Sequence, residues 1–212
     1  MNLVTFQYNL GKDTDNFIRG TESVNSKEPT KLQEEYELLF GKDFSREKVE
    51  TFLKERAAKL DIRFQQKASE FQMGWKPLEE SFLSRCEELF GIKLDGTVLA
   101  FLSQNQRCTY RWREGYFYIY YDSQNPNKTV MHELLHFYTH KKYEPLKIES
   151  KKFNDIKESL TVILNTDFSD LMGETRDVGY PQHKEMREGI KQMRQKGLSV
   201  DEIVHSLAQI YF

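Results

Sequence analysis

Two histidines spaced four residues apart define the chemistry that this chain could perform. They fall in the run Thr129-Val130-Met131-His132-Glu133-Leu134-Leu135-His136-Phe137-Tyr138. On a helix, that spacing puts His132 and His136 on one face, one turn apart. Two imidazole nitrogens so placed can reach one divalent ion at about 2.0–2.1 Å, the usual Zn²⁺–nitrogen distance. Glu133 follows the first histidine by one position and leaves the helix at a different angle, where a carboxylate holds an ion's water instead of the ion. With 5 histidines in 212 residues, a His-Glu-x-x-His match arises by chance only about 0.01 times, so the motif is informative.

A catalytic ion of this kind takes three protein ligands and keeps one position open. His140 continues the four-residue spacing, but three histidines in a row along a straight helix spread over about 12 Å and cannot share one ion. His140 therefore reads as a surface or supporting residue. Glu158 is the stronger candidate for the third ligand, with Glu149 and Asp155 as alternatives. It lies 158 − 136 = 22 positions after His136, in a helical pattern over 153–165 that is apolar at Phe153, Ile156, Leu160, Ile163 and Leu164. Glu158, Thr161 and Asn165 make a narrow polar stripe on that helix at i, i+3, i+7 spacing. A buried polar stripe costs free energy unless it finds partners, and a metal with its ligands would supply them.

The elements that must position these residues can be read around them. Residues 11–30 are polar and predict an extended lead-in, with Asn25 and Ser26 among its turn-forming residues. Helical spacing recurs at Leu32, Tyr36, Leu39 and Phe40, then from Val49 to Phe64 with Ser45 as N-cap, then after Gly74 at Leu78, Phe82, Cys86, Leu89 and Phe90. From residue 92 the texture changes. Thr97–Leu102 reads as a strand, and Cys108–Arg113 with Tyr116–Tyr121 reads as a hairpin turning at Glu114-Gly115. Helical patterns return near 128–140, 153–165, 182–195 and 199–210, the last opened by a capping box of Ser199 and Glu202. The lysine-rich stretch from 141 to 157 reads as a solvated connection. Helices, then a small antiparallel sheet, then helices predict an α+β fold. The lead-in and first helices occupy 1–91 and the metal-binding part 92–212, together forming one compact unit.

Composition narrows the function classes. Lys and Arg number 31 and Asp and Glu 33, a net charge of −2, which argues against a protein built to neutralise nucleic-acid phosphates. No apolar run reaches about 18 residues, so no transmembrane helix is expected. Met1–Leu10 show no basic start leading into an apolar stretch. Cys86 and Cys108 are too few for a disulfide framework, so reduced thiols and a cytoplasmic location are expected.

The segment His132–His136, with Glu158 on a following helix, resembles the gluzincin group of zinc metallopeptidases, whose third ligand is a glutamate on the next helix. The resemblance covers about 50 residues, from 116 to 165, and is specific for the metal site more than for substrate. It implies a zincin-like arrangement in which a small antiparallel sheet packs against the motif helix. Zn²⁺ is then the cofactor, His132, His136 and Glu158 the ligands, and Glu133 the general base. Tyr116–Tyr121 would be the edge strand that pairs with an extended peptide or protein substrate. The resemblance also implies an oxyanion donor from a later segment, for which Tyr180 and His183 have suitable chemistry. One position departs from the pattern. Thermolysin-like members carry an acidic residue four positions after the ligand glutamate, where it orients the first histidine. Here that position is Val162, so Thr161, Asn165 or a residue elsewhere must take over. The expected function is a zinc-dependent peptidase; the alternative is a non-catalytic or single-partner binding module that keeps the fold.

Overall fold

The structure is a computed structural model and describes residues 3–22 and 28–210; Asn25 and Ser26 of the expected lead-in lie outside them. The chain forms two compact units, Met1–Lys76 with Gly96–Pro126 and Pro77–Asp95 with Asn127–Phe212. Each unit draws on two stretches of chain, so no single cut in the sequence separates them.

The first unit holds strand β1 (Val4–Tyr8), helices α1 (Leu10–Glu22), α2 (Lys31–Phe40) and α3 (Arg46–Lys59), and the start of α4 (Phe64–Phe90). It also holds strands β2 (Val98–Ser103), β3 (Tyr110–Arg111) and β4 (Tyr116–Tyr120). The strand order is β1-β2-β4-β3. β1 lies parallel to β2 with Phe6 opposite Ala100, and β2 parallel to β4 with Ala100 opposite Phe117. Only β3 and β4 are antiparallel, with Tyr110 opposite Phe117. The sheet is therefore mixed, not antiparallel as expected. β1 joins β2 through a long helical crossover, which permits parallel pairing. The chain leaving β2 turns back through β3 and re-enters β4 alongside β2. The expected edge strand is flanked on both sides, by β2 and, at Tyr116 and Phe117, by β3. The return of the hairpin covers that side of β4 at Tyr116 and Phe117.

Two other expectations change for physical reasons. The polar stretch after Leu10 is the helix α1, not an extended lead-in. Its inward face is itself polar: Asp13, Thr14 and Asn16 are buried beside Phe17. Those groups find partners in the sheet. Asp13 Oδ1 accepts from Ser103 Oγ at 2.6 Å and Gln104 N at 3.0 Å, and Asn16 Nδ2 donates to Ser103 Oγ at 2.9 Å. A hydrophobic pattern cannot reveal a helix that packs by hydrogen bonds. The second change is in α4, which runs through Gly74 and Pro77 without ending. Gly and Pro disfavour a helix interior by about 1 and about 3 kcal/mol, but burial of Phe71, Trp75 and Phe82 along the same helix offsets that.

The second unit is helical among its described residues. It takes the end of α4, then α5 (Pro126–Tyr143), α6 (Ser150–Leu160) tightening into a 3₁₀ turn (Thr161–Asn165), and α7 (Ser169–Met172). A 3₁₀ turn (Pro181–His183), α8 (Lys184–Gln195) and α9 (Val200–Ile210) follow. Phe90 meets the Tyr138 ring at 5.4 Å and Phe82 meets Phe168 at 4.9 Å, so α4 and α5 share one core. The capping box at α9 forms, with Ser199 N donating to Glu202 Oε2 at 2.7 Å and Glu202 N to Ser199 Oγ at 3.2 Å. Cys86 and Cys108 are not joined in a disulfide. No helix among the described residues is long and apolar enough to cross a membrane.

Burial of Asp13 raises its pKa from 3.8 to about 6 against the opposing hydrogen bonds from Ser103 and Gln104. The folded chain thus keeps this proton to a higher pH than the unfolded chain does. The resulting stability is complete below about pH 4 and is lost as pH rises through about 6, an effect of about 3 kcal/mol. Urea unfolding across that window should show wild type losing stability relative to Asp13→Asn, whose side chain does not titrate; parallel curves would refute the assignment.

Candidate metal centre

α5 presents His132 and His136 as the motif requires. Their rings lie 4.5 Å apart at 80°. The helix is sequestered around them, with Val130, Met131, Leu134, Leu135 and Tyr138 buried. α6 then brings Glu158 across, its Oε2 3.5 Å from His136 Nε2 and 4.0 Å from His132 Nε2. One donor atom from each of the three side chains lies within 4.8 Å of the others.

These residues fit a divalent ion. Donors about 2.0–2.1 Å from a tetrahedral ion stand about 3.4 Å from one another, close to the separations found here. The donor set is two imidazoles and a carboxylate, which suits a borderline cation. Burial, with the Lys157 and His132 charges, lowers the pKa of His136 to about 3, so its ring is neutral and keeps a lone pair for coordination. Glu158 is held ionised: burial works against the charge, but the contacts from His136 and Lys157 prevail and keep its pKa well below the usual carboxylate range. Glu133 is buried at 5% exposure. Its Oε2 has no hydrogen-bond partner among the described residues, an orphaned acceptor that a bound water or substrate group would satisfy. Burial pushes its pKa up to about 7, with nearby Glu158 and Asp177 adding to the shift and His132 and Lys157 opposing it.

The residue that orients His132 is Asp177, which lies 45 positions beyond it and outside the motif. His132 Nδ1 lies 2.6 Å from Asp177 Oδ2, so a proton on Nδ1 leaves Nε2 bare on the side of Glu158. Burial disfavours the His132 cation, yet the Asp177 contact and the Glu133 charge raise its pKa overall. Asp177 is fixed in turn. Its Oδ1 accepts from Thr161 Oγ1 at 2.9 Å and Arg187 Nη2 at 2.7 Å. Asn165 brackets its backbone, donating to Asp177 O and accepting from Asp177 N, both at 2.8 Å. Thr161 and Asn165 therefore do not touch His132 themselves; they hold the carboxylate that does. The clue was in the sequence, since a buried polar stripe with too few partners had to meet a charged group from elsewhere.

Lys157 does not lie in a solvated connection. It is instead 3% exposed and paired through Nζ with Glu158 Oε1, because α6 begins at Ser150 and turns this position inward. That pairing occupies one carboxylate oxygen and leaves Oε2 toward the histidines. The alternative ligands act elsewhere: Glu149 caps α6 by accepting from Lys151 N and Lys152 N, each at 2.9 Å, and Asp155 accepts from His183 Nε2 at 3.1 Å. His140 packs on the Phe153 ring at 5.0 Å. His183 is buried and Tyr180 is 55% exposed, their rings 5.8 Å apart. Neither belongs to the donor cluster. Compared with known proteins, the chain significantly matches no protein family, no curated protein and no solved structure.

Gly179 is what lets Arg187 approach Asp177. Its φ is +66°, and a Cβ there would sit 2.6 Å from Arg187 Cζ. Gly173 has φ +58° but open space around a Cβ, so it isolates the backbone cost. Gly179→Ala should cost about 1–3 kcal/mol more stability than Gly173→Ala, read as a lower thermal midpoint. Equal midpoints would mean that the guanidinium is free to move aside.

Proposed function

We propose that this chain is a zinc-dependent hydrolase of the gluzincin type, with a zincin-like helix pair at its centre, and that it cleaves peptide bonds. The observation that carries the reading is the convergence of Glu158 Oε2, from the helix after the motif, on the two imidazole Nε2 atoms of α5. His132, His136 and Glu158 would hold the ion. Zn²⁺ bound there would supply Lewis acidity, polarising a carbonyl and bringing its water's pKa toward about 7.

The chain's own groups account for the remaining work. Glu133 would take a proton from the attacking water on a carboxylate oxygen and return it to the leaving amine. It stands one residue beyond a ligand, is buried, and has an oxygen without a hydrogen-bond partner among the described residues. Asp177 holds the His132 ring in one tautomer and one orientation. Lys157 neutralises the outer oxygen of Glu158. Burial around α5 excludes bulk water, which strengthens each of these electrostatic contacts.

Elemental analysis should find one zinc per wild-type chain and none in His136→Ala. Glu133→Gln should keep its zinc and lose hydrolysis of unfolded casein or a peptide library by about 10²–10⁴-fold. Asp177→Asn should bind zinc about 10–100-fold more weakly, read by competition with a chelating dye. Zinc retained by His136→Ala would sink the proposal. A zinc-loaded wild type without hydrolysis would leave the metal centre intact and favour the binding-module reading.

A further inference from the structure

The first unit carries a cavity of about 360 Å³ beside α1, lined among others by Lys12, Asp15, Arg19, Arg46, Arg111 and Tyr118. Its lining has four cationic side chains, Lys12, Arg19, Arg46 and Arg111, and two acidic ones, Asp15 and Glu114; with Glu50, which pairs with Arg46 from outside the lining, the surplus is 4 − 3 = +1. The acids do not neutralise the cations evenly. Arg46 is engaged twice, by Asp15 at 2.6 Å and Glu50 at 3.2 Å. Arg111 reaches Glu114 only at 3.9 Å. Lys12 rests its ammonium over the Tyr116 ring at 4.0 Å, a contact that leaves its charge uncompensated.

Arg19 is the most telling member. Its Nη1 is enclosed by protein and has no hydrogen-bond partner among the described residues, so the part of the side chain that lines the cavity is the rest of it. A guanidinium N–H without a partner is costly to bury, and a nearby cation adds to the cost. Both effects act on Arg19, whose pKa is lowered by burial and by the Arg111 charge. A cavity wall that brings two guanidiniums and an ammonium together with few acids favours an anion.

We propose that this cavity binds a phosphate group, as inorganic phosphate or as a small phosphomonoester. A phosphomonoester carries about −1.5 to −2 at neutral pH and several acceptor oxygens, which suit a cationic lining with more than one guanidinium fork. The volume is in the range of small-molecule sites, so an organic group attached to the phosphate has room. The site lies wholly in the first unit and does not depend on the metal centre.

The test is calorimetric titration of the full chain with inorganic phosphate, with glycerol phosphate and with succinate, at about 0.15 M salt so that diffuse attraction is screened. Saturable one-to-one binding of at least one phosphate ligand is expected, with succinate at least about tenfold weaker. Arg19→Met and Arg111→Met should each weaken binding by about tenfold or more, while Lys59→Met on exposed α3 leaves it unchanged; circular dichroism checks the fold of each. Should Arg19→Met fail to fold, Arg19→Lys, which keeps the charge but not the fork, takes its place with a smaller loss. Tighter binding of glycerol phosphate would identify an organic phosphate as the occupant, and equal binding would identify the phosphate group alone; either supports the proposal. Absence of saturable heat at roughly 10 mM phosphate ligand, succinate bound as well as phosphate, or phosphate binding that survives both arginine variants would each overturn it.

Discussion

The contact between Asp177 Oδ2 and His132 Nδ1 is the constraint on which the candidate centre depends. A histidine on a helix is free to rotate about two bonds, and an imidazole can present either nitrogen. The carboxylate removes both freedoms: it selects the tautomer with the proton on Nδ1 and turns Nε2 toward Glu158. Asp177 can do this only because it is itself immobilised by Thr161, Arg187 and Asn165. The order of the centre therefore passes from α8 and the turn after α6 into α5, through charged hydrogen bonds of 2.6–2.9 Å.

Such a network is expensive to bury unless each charge has a counterpart. The second unit meets that requirement in two linked pairs. Arg187 offsets Asp177, with side chains 7% and 6% exposed, and Lys157 offsets Glu158, at 3% and 13%. Together they let two carboxylates stay ionised inside a helical core, each on a different side of the histidine pair. Glu133 has no comparable counterpart, and its raised pKa follows. The contrast separates groups held in place as fixed charges from one able to gain and lose a proton.

The first unit solves a different problem with similar means. α1 docks on the sheet through Asp13, Asn16 and Ser103, polar groups that are fully enclosed and satisfied by one another. On another side of the same helix, Lys12, Asp15 and Arg19 face a cavity whose cations outnumber its acids. One short helix thus carries a closed hydrogen-bond network and an open electrostatic one, and the second is where its chemistry is incomplete.

The sequence alone determined the helix that bears His132, Glu133 and His136, because a four-residue spacing within a strongly apolar segment has one regular conformation that places both rings together. It also determined the downstream helix bearing Glu158, the capping box at Ser199, and the α+β character of the chain; these are local signals, legible within a few residues. Sheet direction was not local. Val4–Tyr8 pairs with Val98–Ser103 across some ninety residues, and nothing near β2 or β4 specifies that their neighbours run parallel. Nor was the burial of Lys157, whose position in a lysine-rich stretch looks solvated until α6 turns it inward. Asp177 and Arg187 were visible as residues, but their role was not, since the replacement for an acid at Val162 came from a turn twelve residues beyond Asn165. Spacing along one helix fixes which side chains can face a common point; only packing of separate segments decides which charges arrive there to hold them.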